Sequence, residues 1–274
     1  MNAFFCATDD NYAPLAEVLI KSIVANGHTE DIIIGHGKDL NKENQQRFNT
    51  LGAKTMSLPE IECPHCKPDH KRWVPSTILL KLHAFGLEKY NKILMIDADC
   101  MFVDNVSELF ERKERYLFTK NNRKNADHFL SISGGSMVLT PNRTLYEELI
   151  KMASLPGIID GVWNTLEEGM LRAKFSNFTM CQEWRKAHNT QQEVNGVGTM
   201  GQEYNVFYLK DEMLSDLPLI EKGKAKIVHF ANWGFSHKPH TLPPDVFKLW
   251  KSQGFLTVLE YYEKYYQLRD GSVT

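Results

Sequence analysis

The chain has 274 residues, 42% hydrophobic and 24% charged, with a mean hydropathy of −0.38. That composition excludes a disordered tail and supplies enough apolar material for a packed core. Lys plus Arg number 32 against 34 Asp plus Glu, a net charge of −2, so there is no electrostatic footprint for nucleic acid or an anionic membrane, and an anionic ligand must be held by local cations or a metal.

The first residues, Met1 to Thr8, lack the basic region of a signal peptide, and Phe4 to Ala7 read as a first strand. Pro14 followed by Leu15, Val18, Leu19 and Ile23 has helical spacing, with Gly27 as the C-terminal stop. Ile32-Ile33-Ile34 is a β-branched run suited to a strand covered on both faces, Asn41 to Leu51 a polar surface helix, and Ala53 to Leu58 a third strand. Pro59 to Pro75 lacks periodicity and reads as a long loop. With His70-Lys71-Arg72 and Trp73 it is either a lid over a ligand or a solvated insertion.

Thr77 to Tyr90 reads as a helix and leads into Lys92-Ile93-Leu94-Met95-Ile96, a hydrophobic strand that ends in acid at Asp97. Ile132 to Leu139 is another strand, whose glycines allow close backbone approach, and Asn142 to Met152 a helix. Beyond Leu155 the pattern weakens until the strand Ala225 to Phe230 and two helical stretches, Pro244 to Gln253 and Thr257 to Leu268. The expectation is one α/β domain over 1–274: a nucleotide-binding half at 1–155, an acceptor-side half with a closing metal motif at 156–240, and C-terminal helices at 241–274. No apolar run approaches the roughly 20 residues that span a bilayer, and the odd count of five cysteines fits a reducing, cytoplasmic compartment.

Asp97-Ala98-Asp99 sets two carboxylates two residues apart, on one side of an extended chain, where both can reach one hard cation. Alone the pattern is weak, and a pair of solvated acids at a strand end is the plain alternative. His229, at the end of the strand Ile227-Val228, adds an imidazole, which favours Mn²⁺ over Mg²⁺. Gly234 and Lys238-Pro239 follow it, a compact backbone and a cation suited to a diphosphate.

These residues resemble the glycogenin and galactinol synthase family of retaining nucleotide-sugar glycosyltransferases. Ala7-Thr8-Asp9-Asp10-Asn11-Tyr12-Ala13 is similar to the family's first strand-to-helix turn, Leu80-Lys81-Leu82-His83 to its Thr-Lys-Leu segment, Met95 to Asp99 to its metal motif, and Val228-His229-Phe230 through Lys238-Pro239 to its closing motif. The resemblance implies a GT-A fold, a Rossmann-like mixed, mostly parallel sheet flanked by helices, with C-terminal helices. It implies Mn²⁺, or Mg²⁺, held by Asp97, Asp99 and His229. It also implies a UDP-sugar donor bound by Thr8, Asp10, Tyr12, Lys81, Ala98, Ser133, Gly134, Gly135, Gly234 and Lys238. The acceptor would be the hydroxyl of a carbohydrate, polyol or glycoconjugate, with no nucleic acid and no membrane span; a homodimer is compatible with it.

Two departures stand out. Ser133-Gly134-Gly135 takes the place of the family's Asn-Ser-Gly, exchanging a sugar-contacting amide for a hydroxyl, and His240 stands where the family usually has Trp. The family also carries an Asp-Gln or Glu-Gln pair near the reacting carbon, ahead of a Tyr-Asn-Leu segment. Tyr204-Asn205-Val206 is similar to that segment, and counting back gives Gln182 and Glu183 as the catalytic pair, with Asp160-Gly161 as the rival placement. The alternative is that Gln182 and Glu183 begin a surface helix.

Cys63-Pro64-His65-Cys66 has the spacing of half a zinc site or a redox pair, and plain loop cysteines are the favoured reading, with zinc second. Tyr261, Tyr262, Tyr265 and Tyr266 fall at helical spacing and read as a packed face rather than as self-glucosylated acceptors. Two other functions share some of these features: a Mg²⁺ phosphatase of the haloacid dehalogenase type, whose Asp-x-Asp lies nearer the start of its domain, and a nucleotide-sugar-binding protein without turnover.

Overall fold

The computed structural model describes residues 1–64, 75–120, 132–155, 166–176, 179–193, 195–207, 224–230, 238–241, 244–245, 248 and 256–271. Its main sheet has seven strands: β1 (Asn2–Ala7), β2 (Asp31–His36), β3 (Lys54–Ser57), β4 (Lys92–Ile96), β6 (Tyr116–Lys120), β7 (Ile132–Leu139) and β8 (Val197–Met200). They lie in the order β3-β2-β1-β4-β7-β6-β8. Pairing is parallel from β3 through β4, antiparallel on both sides of β7, and parallel again between β6 and β8. This is the mixed, mostly parallel sheet expected. After β1 the chain moves outward to β2 and β3, then returns to place β4 on the other side of β1. The carboxyl ends of β1 and β4 therefore flank the point where strand order reverses, and ligands of open α/β sheets collect there.

The central strands are continuous apolar runs because both faces are covered. Ala3, Phe5, Ile93 and Met95 enter one core layer with Leu80, Leu82, Phe85, Leu149 and Phe175. Phe4, Cys6, Leu94 and Ile96 enter the opposite layer with Ala16, Leu19, Ile20, Ile23 and Phe48. Helix α1 (Ala13–Ala25) carries proline in its first turn and is followed by Gly27 at φ 76°, a left-handed position suited to glycine. Helices α2 (Lys42–Thr50) and α4 (Arg143–Ala153) begin where the sequence predicts, because Asn41 and Asn142 accept hydrogen bonds from the backbone N–H of Asn44 and Leu145.

The predicted helix Thr77–Tyr90 is instead a short α-helix, α3 (Pro75–Leu79), continued as a tighter 3₁₀ segment over Leu80–Gly86. Every residue from Leu79 to Phe85 is buried, lysine included. The segment is wedged between the sheet and α4, so it does not present one polar face as an amphipathic helix would. Most of the proposed lid loop lies outside the described residues. Cys63, read as a plain loop cysteine, takes part in a disulfide instead; Cys66 lies outside the described residues. Cys6, Cys100 and Cys181 are free and buried.

A second sheet orders β5 (Cys100–Phe102), β10 (Ile227–His229) and β9 (Val206–Phe207) as β5-β10-β9. The C-terminal helix α7 (Leu256–Asp270) packs Tyr262 and Tyr265 with Leu15, Val18 and Phe230, and the Tyr266 hydroxyl donates to Pro239 O at 2.9 Å. The tyrosines thus form the packed face expected of them. The predicted helix Pro244–Gln253 lies mostly outside the described residues. Among the described residues no helix is long and apolar enough to cross a membrane.

One core group makes stability depend on pH. His28 sits edge-on to Phe4 and Phe102, with ring centroids 4.9 and 5.5 Å away, and its Nε2 accepts from Val106 N–H at 3.3 Å. Burial holds its pKa below the ordinary value, against the pull of Glu30. A base whose folded pKa is depressed contributes stability that is present above its unfolded pKa, about 6.5, and lost as pH falls through that value. The melting temperature is therefore expected to drop between pH 7 and 5. The drop should be shallower in His28→Asn, and an identical slope in that variant would remove His28 from the account.

Candidate active site

At the end of β4 the backbone turns immediately. Asp97 N–H donates to Gly135 O at 3.0 Å and Cys100 N–H to Asp97 O at 3.1 Å, so Asp97 and Asp99 project from a tight connection between β4 and β5. β10 pairs antiparallel with β5 and sets His229 opposite Cys100, while Phe230 N–H donates to Asp99 O at 2.8 Å. This register brings an imidazole 130 residues downstream onto the acids. His229 Nε2 lies 3.1 Å from Asp99 Oδ1 and 3.6 Å from Asp97 Oδ2.

Two lysines complete the cluster. Lys238 pairs with Asp99 Oδ2 and donates to Phe230 O at 2.7 Å. Lys81, delivered by the buried 3₁₀ segment, lies 2.5 Å from Asp97 Oδ1 and 2.5 Å from Glu167 Oε1. Burial alone would raise the pKa of Asp99, but Lys238 and His229 hold it far below the usual carboxylate range. Burial alone would lower that of Lys81, and Asp97 with Glu167 overrides it upward. Glu167 is pushed up, because burial outweighs its share of the one lysine.

Strand β7 forms the floor. A Cβ at Gly135 would stand 2.4 Å from His229 Nδ1, and one at Gly134 would stand 2.8 Å from Glu167 Oε1. Both contacts are closer than a side chain tolerates, so the two glycines create room for the site. Gly134 N–H donates to Glu168 Oε1 at 2.7 Å, and Arg172 holds the other oxygen of Glu168 at 2.9 Å.

The remaining predicted residues are spread around this cluster. Tyr12 is half-buried, with Lys238 Nζ 5.9 Å from its ring centroid. Asp10 accepts from Asn41 N–H and Asn44 Nδ2, both at 2.9 Å, at the start of α2. Thr8 is buried, its N–H bonded to Gly35 O at 3.1 Å, and Ala98 packs into the core. The Ser133 hydroxyl, expected to face a sugar, accepts from Asn205 Nδ2 at 2.9 Å. Gly234 and the rival pair Asp160-Gly161 lie outside the described residues.

Gln182 and Glu183 are exposed on α6 (Thr179–Ala187), whose buried side carries Cys181 and Arg185. The acids at the cluster are Glu167 and Glu168, in the first turn of α5 (Leu166–Phe175), and sequence reasoning missed them. The signal was two successive acids opening a helix with buried Met170 and Leu171.

The donor set fits a divalent cation. Two carboxylates and one imidazole converge over a glycine cradle, a combination borne by Mn²⁺-type ions. Cys100 lies close enough to join Asp99 and His229 as a candidate ligand. Burial beside Asp99 and Asp97 pushes its thiol well above the ordinary value, however, and Sγ lies 3.6 Å from Gly135 O; a ligating cysteine must be a thiolate, so the carboxylates are the better donors.

A family model described as glycosyl transferase family 8 matches residues 3–126, the stretch that carries β1 through β4 and both aspartates. Glycogenin-1 from Mus musculus is 27% identical over 244 residues, covering 85% of this chain and 66% of that protein. A putative UDP-glucuronate:xylan alpha-glucuronosyltransferase 5 from Arabidopsis thaliana is 26% identical over 198 residues, covering 68% and 33%. Residues 3–126 thus match family 8 glycosyltransferases, and the chain resembles glycogenin over most of its length. It spans from a third to two thirds of the length of these relatives. In fold, the chain is similar to the galactosyltransferase LgtC, with a TM-score of 0.62 at 12% identity over 100% of this chain and 96% of that one. The GT-A fold expected of the sequence is thereby met.

The glycine cradle yields a direct test. Gly135→Ala is expected to displace the His229 ring and weaken binding of a divalent cation about 10–100-fold, the usual effect of disturbing a ligand's support. Unchanged affinity in a cation titration would show that His229 takes no part in cation binding.

Proposed function

We propose that this chain is a Mn²⁺-dependent retaining glycosyltransferase that moves a hexose, glucose or galactose, from a UDP-sugar to an acceptor hydroxyl. The observation that carries the reading is the convergence of Asp97, Asp99 and His229, flanked by Lys81 and Lys238, at the reversal point of the sheet. Retention and the UDP donor rest on the likeness to glycogenin-type relatives. As the bond from sugar to diphosphate breaks, negative charge builds on the departing nucleotide, and a cation placed beforehand stabilises that charge.

The protein's own groups divide the remaining work. Asp97, Asp99 and His229 would hold the cation. Lys238, half-buried beside Tyr12, is within reach of the same place and adds positive charge against the diphosphate. Lys81, braced by Asp97 and Glu167, orients toward the floor at Gly134 O, 3.4 Å from its Nζ. Glu167 and Glu168 border the glycine floor, where they can accept hydrogen bonds from sugar hydroxyls. Tyr12 offers a ring face to a base or a sugar. The acceptor is a carbohydrate, polyol or glycoconjugate hydroxyl.

UDP release from a panel of UDP-sugars, with Mn²⁺, Mg²⁺ or EDTA, tests this reading. Release from one donor, supported best by Mn²⁺ and abolished by EDTA, is expected. A protein that neither releases UDP nor binds it in the presence of Mn²⁺ would overturn the proposal.

A further inference from the structure

Asn205 closes the 3₁₀ turn Gln202–Tyr204 just before β9 and is completely buried. Its side chain joins three other segments. Nδ2 donates to Thr119 Oγ1 on β6 at 3.0 Å and to Ser133 Oγ on β7 at 2.9 Å, while Oδ1 lies 2.9 Å from His229 Nδ1 on β10. Gly135 makes the approach feasible, since a Cβ there would stand 2.9 Å from Asn205 Oδ1 as well as 2.4 Å from His229 Nδ1.

With the amide N–H groups directed at two hydroxyls, the carbonyl oxygen faces the imidazole. An acceptor opposite Nδ1 requires a proton on Nδ1. Nε2, which faces Asp99 Oδ1 and Asp97 Oδ2, is then the nitrogen whose lone pair a cation seated among them would take. The reverse amide orientation would put N–H against Nδ1, forcing the proton onto Nε2 and closing that nitrogen to a cation.

We infer that Asn205 is a positioning residue that holds His229 as the Nδ1–H form, its amide seated on Thr119 and Ser133, so that Nε2 is presented to a divalent cation; this rests on the reading of Asp97, Asp99 and His229 as cation ligands. It assigns a purpose to the Ser133 hydroxyl, which supports the carrier of the ligand from behind the glycine floor. Partners that orient a ligating histidine typically change metal affinity about 10–100-fold when removed.

The test uses Mn²⁺ alone, titrated by electron paramagnetic resonance without nucleotide. Asn205→Leu, which keeps the shape and cannot accept, is expected to weaken Mn²⁺ binding at least about tenfold. Asn205→Asp, which can accept from Nδ1–H, should recover most of that loss, and the two hydroxyls can turn to donate to it. Equal losses in both variants would point to a merely structural role and overturn the inference, as would wild-type affinity in Asn205→Leu. The wild-type protein supplies a readout free of folding effects: nitrogen-15 spectra of its histidines with Zn²⁺ bound should show the His229 proton on Nδ1, and a proton on Nε2 would contradict the inference. Mn²⁺ binding that is lost in Asp99→Ala yet unaffected in Asn205→Leu would sink the role of Asn205 alone. Absence of Mn²⁺ binding in wild type would sink the cation reading with it.

Discussion

Asp99→Ala is expected to lower sugar transfer by about 10²–10³-fold or more, the scale of losing one preplaced electrostatic contact to developing charge. Asp99 is the hub of the cluster, since His229 Nε2 lies 3.1 Å from one of its oxygens and Lys238 pairs with the other. Its removal deprives a cation of one carboxylate and leaves Lys238 without its partner. The fall should appear in kcat as well as in kcat/KM, because the charge to be stabilised is greater in the transition state than in the bound substrate. Near-normal turnover in a folded Asp99→Ala protein, measured by steady-state kinetics, would defeat the assignment. Asp99→Asn separates charge from shape: it keeps the outline of the side chain and should lose nearly as much.

Lys81→Met carries the largest expected effect on stability. Lys81 is buried, and both Asp97 and Glu167 lie 2.5 Å from its Nζ. Breaking a buried ion pair by removing one member leaves charge without compensation and typically costs about 3–5 kcal/mol. Urea denaturation of Lys81→Met should show a loss of that order. Adding Glu167→Gln should return a substantial part of it, because one of the two stranded carboxylates is then neutral. Strict additivity of the two changes would mean that Lys81 and Glu167 do not act as a unit. In transfer assays Lys81→Met should also be impaired, and the double variant should regain stability without regaining activity.

The nucleotide-binding side of the fold was legible because its signals are local. β1, β2 and β4 are unbroken apolar runs, Asn41 and Asn142 mark helix starts with their own side chains, and Asp97-Ala98-Asp99 ends a strand in acid. What escaped depends on partners distant in the chain. Tyr116–Lys120 and Val197–Met200 are short, and the latter contains a glycine; they are strands because β7 and β6 offer edges to pair with. Lys81 was assigned to the donor through the resemblance, and only the surrounding sheet, α4 and Glu167 make it a buried cation. His229 was found as a strand-end imidazole, yet its place beside Asp99 comes from the β5–β10 register. Ser133 was read as facing a sugar because nothing nearby in sequence announces Asn205, 72 residues on, as its partner.

Glu167 and Glu168 illustrate the opposite failure. Their sequence signal was present, two acids opening an amphipathic turn, but counting back from Tyr204-Asn205-Val206 led to Gln182 and Glu183 instead. The carboxylate of Glu168 is accommodated because Gly134 N–H and Arg172 both donate to it, a pairing that matches an acid better than an amide.

The central claim is that Asp97, Asp99 and His229 hold the cation that faces the donor's diphosphate. Anomalous diffraction from crystals grown with Mn²⁺ and UDP tests it most directly. One strong peak is expected, bounded by the two carboxylates and His229 Nε2, adjoining the diphosphate, with Lys238 drawn from Asp99 toward phosphate oxygen. A peak elsewhere, or bound UDP with no peak and Lys238 still paired to Asp99, would contradict it.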